Sequence, residues 1–148
     1  MDALTWPKPE PGLVIRYSYL WKREAEAGRE EGTKDRPCAI IITLLRQHES
    51  PLVRVLPITH SQPADRDGAL EIPQETKLRL GLDSARSWII LDEANDFVWP
   101  GPDLRPSVNG QLATAAIGKL PPGLLSVLRE KFKTRYLQGR TKATKRTE

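Results

Sequence analysis

Between residues 13 and 20 the chain reads LVIRYSYL, with Leu13, Ile15, Tyr17 and Tyr19 on one parity and Arg16 and Ser18 on the other. Alternation with period two predicts a strand with one buried face. The following stretch, WKREAEAGREEGTKDR, is almost wholly polar. Gly28 and Gly32 interrupt its helix-like part, so a long mobile loop is expected from Trp21 to Asp35. PCAIIITLL is a continuous apolar run rich in β-branched residues, the pattern of a strand buried on both faces. RQHESP predicts a turn, and LVRVLPIT a third strand that alternates until Pro57. After a loop at HSQPADRDG come a short strand at ALEIP, a helical turn at QETKLRLGL closed by Gly81, and a buried strand at SWIILDE. Asn95 to Pro106 holds Pro100, Pro102 and Pro106 and is expected to be irregular, with a short strand at FVW. QLATAAIGKL predicts a last strand. From Pro121 or Pro122 to Leu137 the spacing of Leu125, Leu128, Phe132 and Tyr136 predicts an amphipathic helix, with proline in its first turn and Gly139 at its end.

Five or six short strands and one helix within 148 residues imply a mainly β fold, a small curled antiparallel sheet or barrel with a C-terminal α-helix. The expected organisation is an extended proline-rich lead over 1–12, a single domain over 13–138 and a disordered basic tail over 139–148. With 39% apolar and 28% charged residues, a packed core is possible. No apolar run approaches the roughly 20 residues that span a bilayer, so no membrane role is expected. The opening MDALTWPKPEPG has neither the basic nor the apolar region of a secretion signal, and one cysteine excludes an intrachain disulfide. A reducing, cytoplasmic location is the expectation. Charge is unevenly spread: residues 1–128 carry 15 Lys/Arg against 17 Asp/Glu, and residues 129–148 carry eight against two. A polyanionic partner and a merely solubilising tail explain that asymmetry equally well.

Candidate chemistry is sparse. His48, His60 and Cys38 have no metal-ligand spacing, and Cys38 reads as a small core residue. No phosphate-cradling glycine loop is present, and no cofactor is implied. Two stretches stand out. In Glu31-Gly32-Thr33-Lys34-Asp35-Arg36-Pro37, Pro37 biases Arg36 to extended backbone, launching a guanidinium from a strand start. That suits anion recognition, although pairing with Asp35 or Glu31 would account for it too. In Pro57-Ile58-Thr59-His60-Ser61-Gln62, two hydroxyls and an imidazole gather where an apolar strand stops. They suit phosphate contact and proton exchange, or simply local turn hydrogen bonding.

Taken in order, P-G-x-V-I, K-D-R-P-C-A-I-I-I, V-x-P-I-T, SWIILDEANDFVW and IGKLPPGLLSVLREKF resemble the PemK/MazF family of toxin endoribonucleases over residues 11 to 138. The resemblance implies an SH3-like β-barrel, usually a homodimer, that cuts single-stranded RNA without metal and is neutralised by a cognate antitoxin. The family's catalytic arginine falls on Arg36 and its catalytic threonine on Thr59. His60, beside Thr59, is not a family feature and is a third catalytic candidate. Arg29, Lys34, Asp35, Ser61 and Gln62 are the expected RNA contacts. Arg129, Lys131, Lys133 and Arg135 are expected on the exposed side of the last helix, and residues 140–148 are expected to attract RNA without joining the chemistry.

Two features depart from the family pattern: the acidic loop with Glu24, Glu26, Glu30 and Glu31, and the run from Asp92 to Asp96 where many members carry a basic residue. They keep two alternatives open, a barrel that poisons gyrase without catalysis and an RNA- or protein-binding module.

Overall fold

The computed structural model describes residues 7–29, 32, 34–106 and 114–146. Glu30, Glu31 and Thr33 of the acidic loop lie outside these residues, as do residues 1–6 of the lead, the start of QLATAAIGKL and the last two residues. The element order is β1 (Leu13–Tyr17), α1 (Lys22–Glu26), β2 (Arg36–Arg46), β3 (Glu49–Thr59), β4 (Ala69–Glu71), α2 (Gln74–Arg79), β5 (Trp88–Ile90), β6 (Glu93–Val98), β7 (Ala116–Lys119), α3 (Pro122–Leu137) and β8 (Lys142–Lys145). The fold is mainly β, as the pattern predicts, with one substantial helix.

The strands form one curled sheet in the order β4-β5-β3-β2-β1-β7. The long β2–β3 hairpin is its spine, turning at His48, whose φ of 63° lies in the left-handed region. Near its turn, β3 pairs with β6, Leu52 facing Val98. At its other end β3 pairs with β5, Thr59 facing Trp88. One strand therefore has two successive neighbours along the same edge, and the sheet bends between them. β3 also runs through Pro57 to Thr59, beyond the predicted end of its alternation.

Two apolar clusters fill opposite faces of the sheet. Ile15, Tyr17, Tyr19, Cys38, Ile40, Val55 and Phe97 belong to one, with Tyr17 and Phe97 stacked at 4.7 Å. Val14, Ala39, Leu56, Ile89, Leu128 and Phe132 belong to the other, beneath α3. With a core on each side, β1 is buried on both faces and not on one: Val14 and Ile15 are both fully covered. In β2 the double burial stops at Ile41, and Ile42, Leu44 and Leu45 are exposed. β1 reaches only from Arg36 to Ala39 along β2, which leaves the outer half of that strand without a paired strand on this side among the described residues.

Three expectations are corrected. The tail is not disordered through residue 146: β8 pairs in parallel with β6, from Glu93 opposite Lys142 to Asp96 opposite Lys145. Its anchor is Arg146, 2% exposed, which donates to the Ser18 carbonyl at 2.8 Å, Asn95 Oδ1 at 3.0 Å and Tyr17 Oη at 3.3 Å, and pairs with Asp103 at 3.0 Å. Second, residues 22–26 of the expected mobile loop are the helix α1, because Glu24 folds back to accept the Trp21 N–H at 3.0 Å and is buried. Third, the face of α3 differs from its hydropathy pattern. Arg135 is buried and makes a two-pronged pair with Asp92 at 2.8 Å plus a bond to Asp65 at 3.0 Å, while Tyr136 is half exposed. Gly68 leaves room for this pair, since a Cβ there would meet the Asp92 carboxylate and the Arg135 guanidinium.

Candidate functional site

Arg36 opens β2, opposite Tyr17 of β1. In the β2–β3 register Cys38 faces Pro57, and continuing by two residues sets Arg36 across from Thr59 at the end of β3. Strand alternation then puts both side chains on the face that carries Cys38 and Ile40. Proline at 37 and the hairpin register thus bring together two residues that are 23 positions apart.

The Arg36 guanidinium lies over the Trp21 ring, its Cζ 4.9 Å from the centroid. Among the described residues its one hydrogen bond is a long one, from Nη1 to the Ile58 carbonyl at 3.5 Å, and its buried Nε has no hydrogen-bond partner there. Of the two carboxylates that would pair with it in a purely structural role, Asp35 instead faces Arg16 at 3.8 Å and Arg105 at 3.6 Å, and Glu31 lies outside the described residues. Among the described residues, Arg36 has no ion pair. A buried donor without an acceptor costs about 1–3 kcal/mol, and more when it is charged. A ligand oxygen that takes up such a donor recovers that cost.

A cavity of about 150 Å³ opens beside this group, lined by Lys34, Asp35, Arg36, Ile58, His60 and Lys77 among others. Of the expected site residues, Lys34, Asp35, Arg36 and His60 therefore share one cavity. Thr59 lies across the hairpin from Arg36, and its hydroxyl oxygen accepts the Ser61 N–H at 3.1 Å. That is the turn bonding anticipated for this segment; the hydroxyl proton is still able to donate. Ser61 is exposed beside it. Gln62 lines a different cavity, with Arg66, Arg86 and Trp88, and Arg29 is an exposed residue after α1 that does not line the Arg36 cavity.

His60 is held from outside the sequence motif. Its Nε2 lies 2.9 Å from Asp83 Oδ2 and 3.1 Å from Oδ1. Asp83 in turn accepts from Lys77 Nζ at 2.8 Å, and Lys77 also donates to Ser87 Oγ at 2.7 Å and to the Ala85 carbonyl. The Lys77 side chain is 1% exposed, so its charge is fully committed to this loop. The hydrogen bond from Lys77, against the opposing effect of burial, holds the Asp83 carboxyl below the usual carboxylate range, and the nearby His60 adds to it. Sequence reasoning missed Lys77 and Asp83: a lysine in QETKLR and an aspartate in a polar loop look like surface residues. Trp21, the platform under Arg36, was hidden in the same way within a polar segment.

The acidic run from Asp92 to Asp96 is internally partnered. Asp92 is held by Arg135, and Asp96 takes a bidentate pair from Arg54 at 2.7 and 2.9 Å. Glu93 accepts from the Tyr19 hydroxyl and the Lys22 N–H, both at 3.0 Å, and burial raises its carboxyl above the ordinary range. Burial also pushes the Cys38 thiol far up, which keeps it an unreactive thiol beneath the site. Among the described residues no group of three or more His, Cys, Asp or Glu is placed to hold a metal ion, and no helix is long and apolar enough to cross a membrane. The chain matches no protein-family model and no curated protein in comparison.

Proposed function

We propose that the protein is a PemK/MazF-like toxin on an SH3-like barrel, an endoribonuclease that cleaves single-stranded RNA without a metal. The observation that carries this reading is the undersatisfied Arg36: a guanidinium stacked on Trp21 whose buried Nε has no partner among the described residues, with Thr59 across from it when the hairpin register is extended by two residues. A phosphate is the ligand such a fork of donors fits best. In the reaction the ribose 2′-oxygen bonds to the adjacent phosphorus as the bond to the 5′-oxygen breaks. The products are a 2′,3′-cyclic phosphate and a 5′-hydroxyl. Arg36 meets the charge that builds on the non-bridging oxygens, and Thr59 donates to one of them.

A cytoplasmic setting, a cognate antitoxin and a second copy of the chain complete the proposal. An acidic antitoxin segment would supply carboxylates to the same donors. A second copy would cover Ile42, Leu44 and Leu45, where β2 offers both an apolar surface and an unpaired edge.

The test is cleavage of a single-stranded RNA in EDTA, with fragments assayed for cyclic phosphate ends. A folded Arg36→Ala protein that cleaves as wild type does overturns the reading. Binding without cleavage by the wild type makes the protein a binding module instead.

A further inference from the structure

We propose that His60 is the general acid for the leaving oxygen, and that Asp83 and Lys77 are the positioning residues that present it; this rests on the ribonuclease reading above. The argument starts from the buried lysine. A lysine that is 1% exposed has given up its hydration and regains stability only through its acceptors. Here the three acceptors are Asp83 Oδ1, the Ala85 carbonyl and Ser87 Oγ, one for each N–H of an ammonium group. Lys77 thereby pins the 83–87 loop to α2, and the pinned loop holds a carboxylate 2.9 Å from the His60 ring.

That contact uses Nε2 of the ring. Nδ1 has no protein partner among the described residues, and the His60 side chain is 60% exposed at the rim of the cavity it shares with Arg36. The charged groups around the ring are Asp83 at contact distance and Lys77, Arg36, Lys34 and Asp35 lining the same cavity. One nitrogen is oriented by a carboxylate, and the other is unpartnered among the described residues on a ring that lines the Arg36 cavity. This is the arrangement by which a carboxylate fixes the tautomer and direction of a catalytic imidazole.

Protons balance as follows. The 2′-hydroxyl gives its proton to water as its oxygen bonds to phosphorus. The protonated His60 ring gives its proton to the departing 5′-oxygen, and solvent reprotonates the ring.

The test uses one RNA in two forms, first with its ordinary 5′-oxygen at the bond that the wild type cuts, then with sulfur as the bridging atom there. A thiolate leaves without a proton far more readily than an alkoxide. His60→Ala should cleave the oxygen substrate about 10²-fold more slowly, yet cleave the sulfur substrate close to the wild-type rate. Asp83→Asn should show a smaller loss with the same relief by sulfur. Equal losses on both substrates, or no loss on either, overturn the proposal and leave the ribonuclease reading standing. A wild-type protein that cleaves neither substrate overturns both.

Discussion

Arg146 and Arg36 are both stacked on aromatic rings, at 5.4 Å over Tyr17 and 4.9 Å over Trp21, and they meet opposite fates. Arg146 is saturated: a carbonyl, an amide oxygen, a phenol and a buried carboxylate surround it. Among the described residues Arg36 has one long bond and a buried Nε with nothing to hold. A saturated buried arginine closes a fold; an unsaturated one has donors left for a ligand. The two are distinguished by their acceptors, not by charge, residue type or stacking.

The largest effect should come from the saturated arginine. Arg146→Ala removes the buried ion pair with Asp103 together with three hydrogen bonds and should cost about 3–5 kcal/mol. At about 2–4 °C per kcal/mol for a chain of this size, the melting temperature should fall on the order of 10 °C. Removing residues 140–148 should do at least as much damage, so its outcome on RNA binding is inseparable from unfolding. A melting temperature within a degree or two of wild type would place Arg146 outside the core.

Arg36→Ala should reverse that profile. Cleavage should fall by about 10²–10³-fold, with a melting temperature equal to or above wild type, because an unsatisfied donor has been removed. A large thermal loss instead would make Arg36 structural and erase the contrast. Thr59→Ala, which removes a neutral donor, should slow cleavage about tenfold, equivalent to about 1.4 kcal/mol, and Thr59→Ser should restore most of it.

The smallest effect belongs to Glu93. Its folded carboxyl titrates above the unfolded value, so the folded state binds the extra proton and stability falls as pH rises through the window between the two. Glu93→Gln should flatten this slope: the variant should gain on wild type toward neutral pH and lose the advantage under acid. A parallel displacement of the two stability curves would show that Glu93 is already ionised at no cost.

Much of the fold was legible because it rests on local period. The runs LVIRYSYL, PCAIIITLL and SWIILDE and the Pro122–Leu137 helix all became the expected elements. What hydropathy concealed was the polar groups that turned inward. Arg146, Arg135, Lys77 and Glu24 look like solvent residues one at a time; Arg146 and Arg135 are buried on acceptors from distant segments, Arg146 reaching Tyr17 across 129 positions, whereas Lys77 and Glu24 are buried by the folding-back of nearby chain. The exposure of Ile42, Leu44 and Leu45 fails for the converse reason: an apolar run says what it prefers, not whether a neighbour strand extends far enough to cover it. At the candidate site, the strand-end places of Arg36 and Thr59 were legible and their proposed roles came from the family resemblance, whereas Lys77 and Asp83 depend on a loop path with no sequence signature.

The placement of Arg146 also sets an order of events during synthesis. The β2–β3 hairpin, which carries Arg36 and Thr59, needs only contacts between adjacent segments and is free to form early. The acceptors on Ser18, Asn95 and Asp103 have no guanidinium until residue 146 has been translated, and chain growth at about 5–20 residues per second leaves them waiting for seconds. The part of the molecule that holds Arg36 is therefore able to assemble before the part that locks the tail in place. A growing chain has an interval in which the hairpin can exist and the anchored tail cannot.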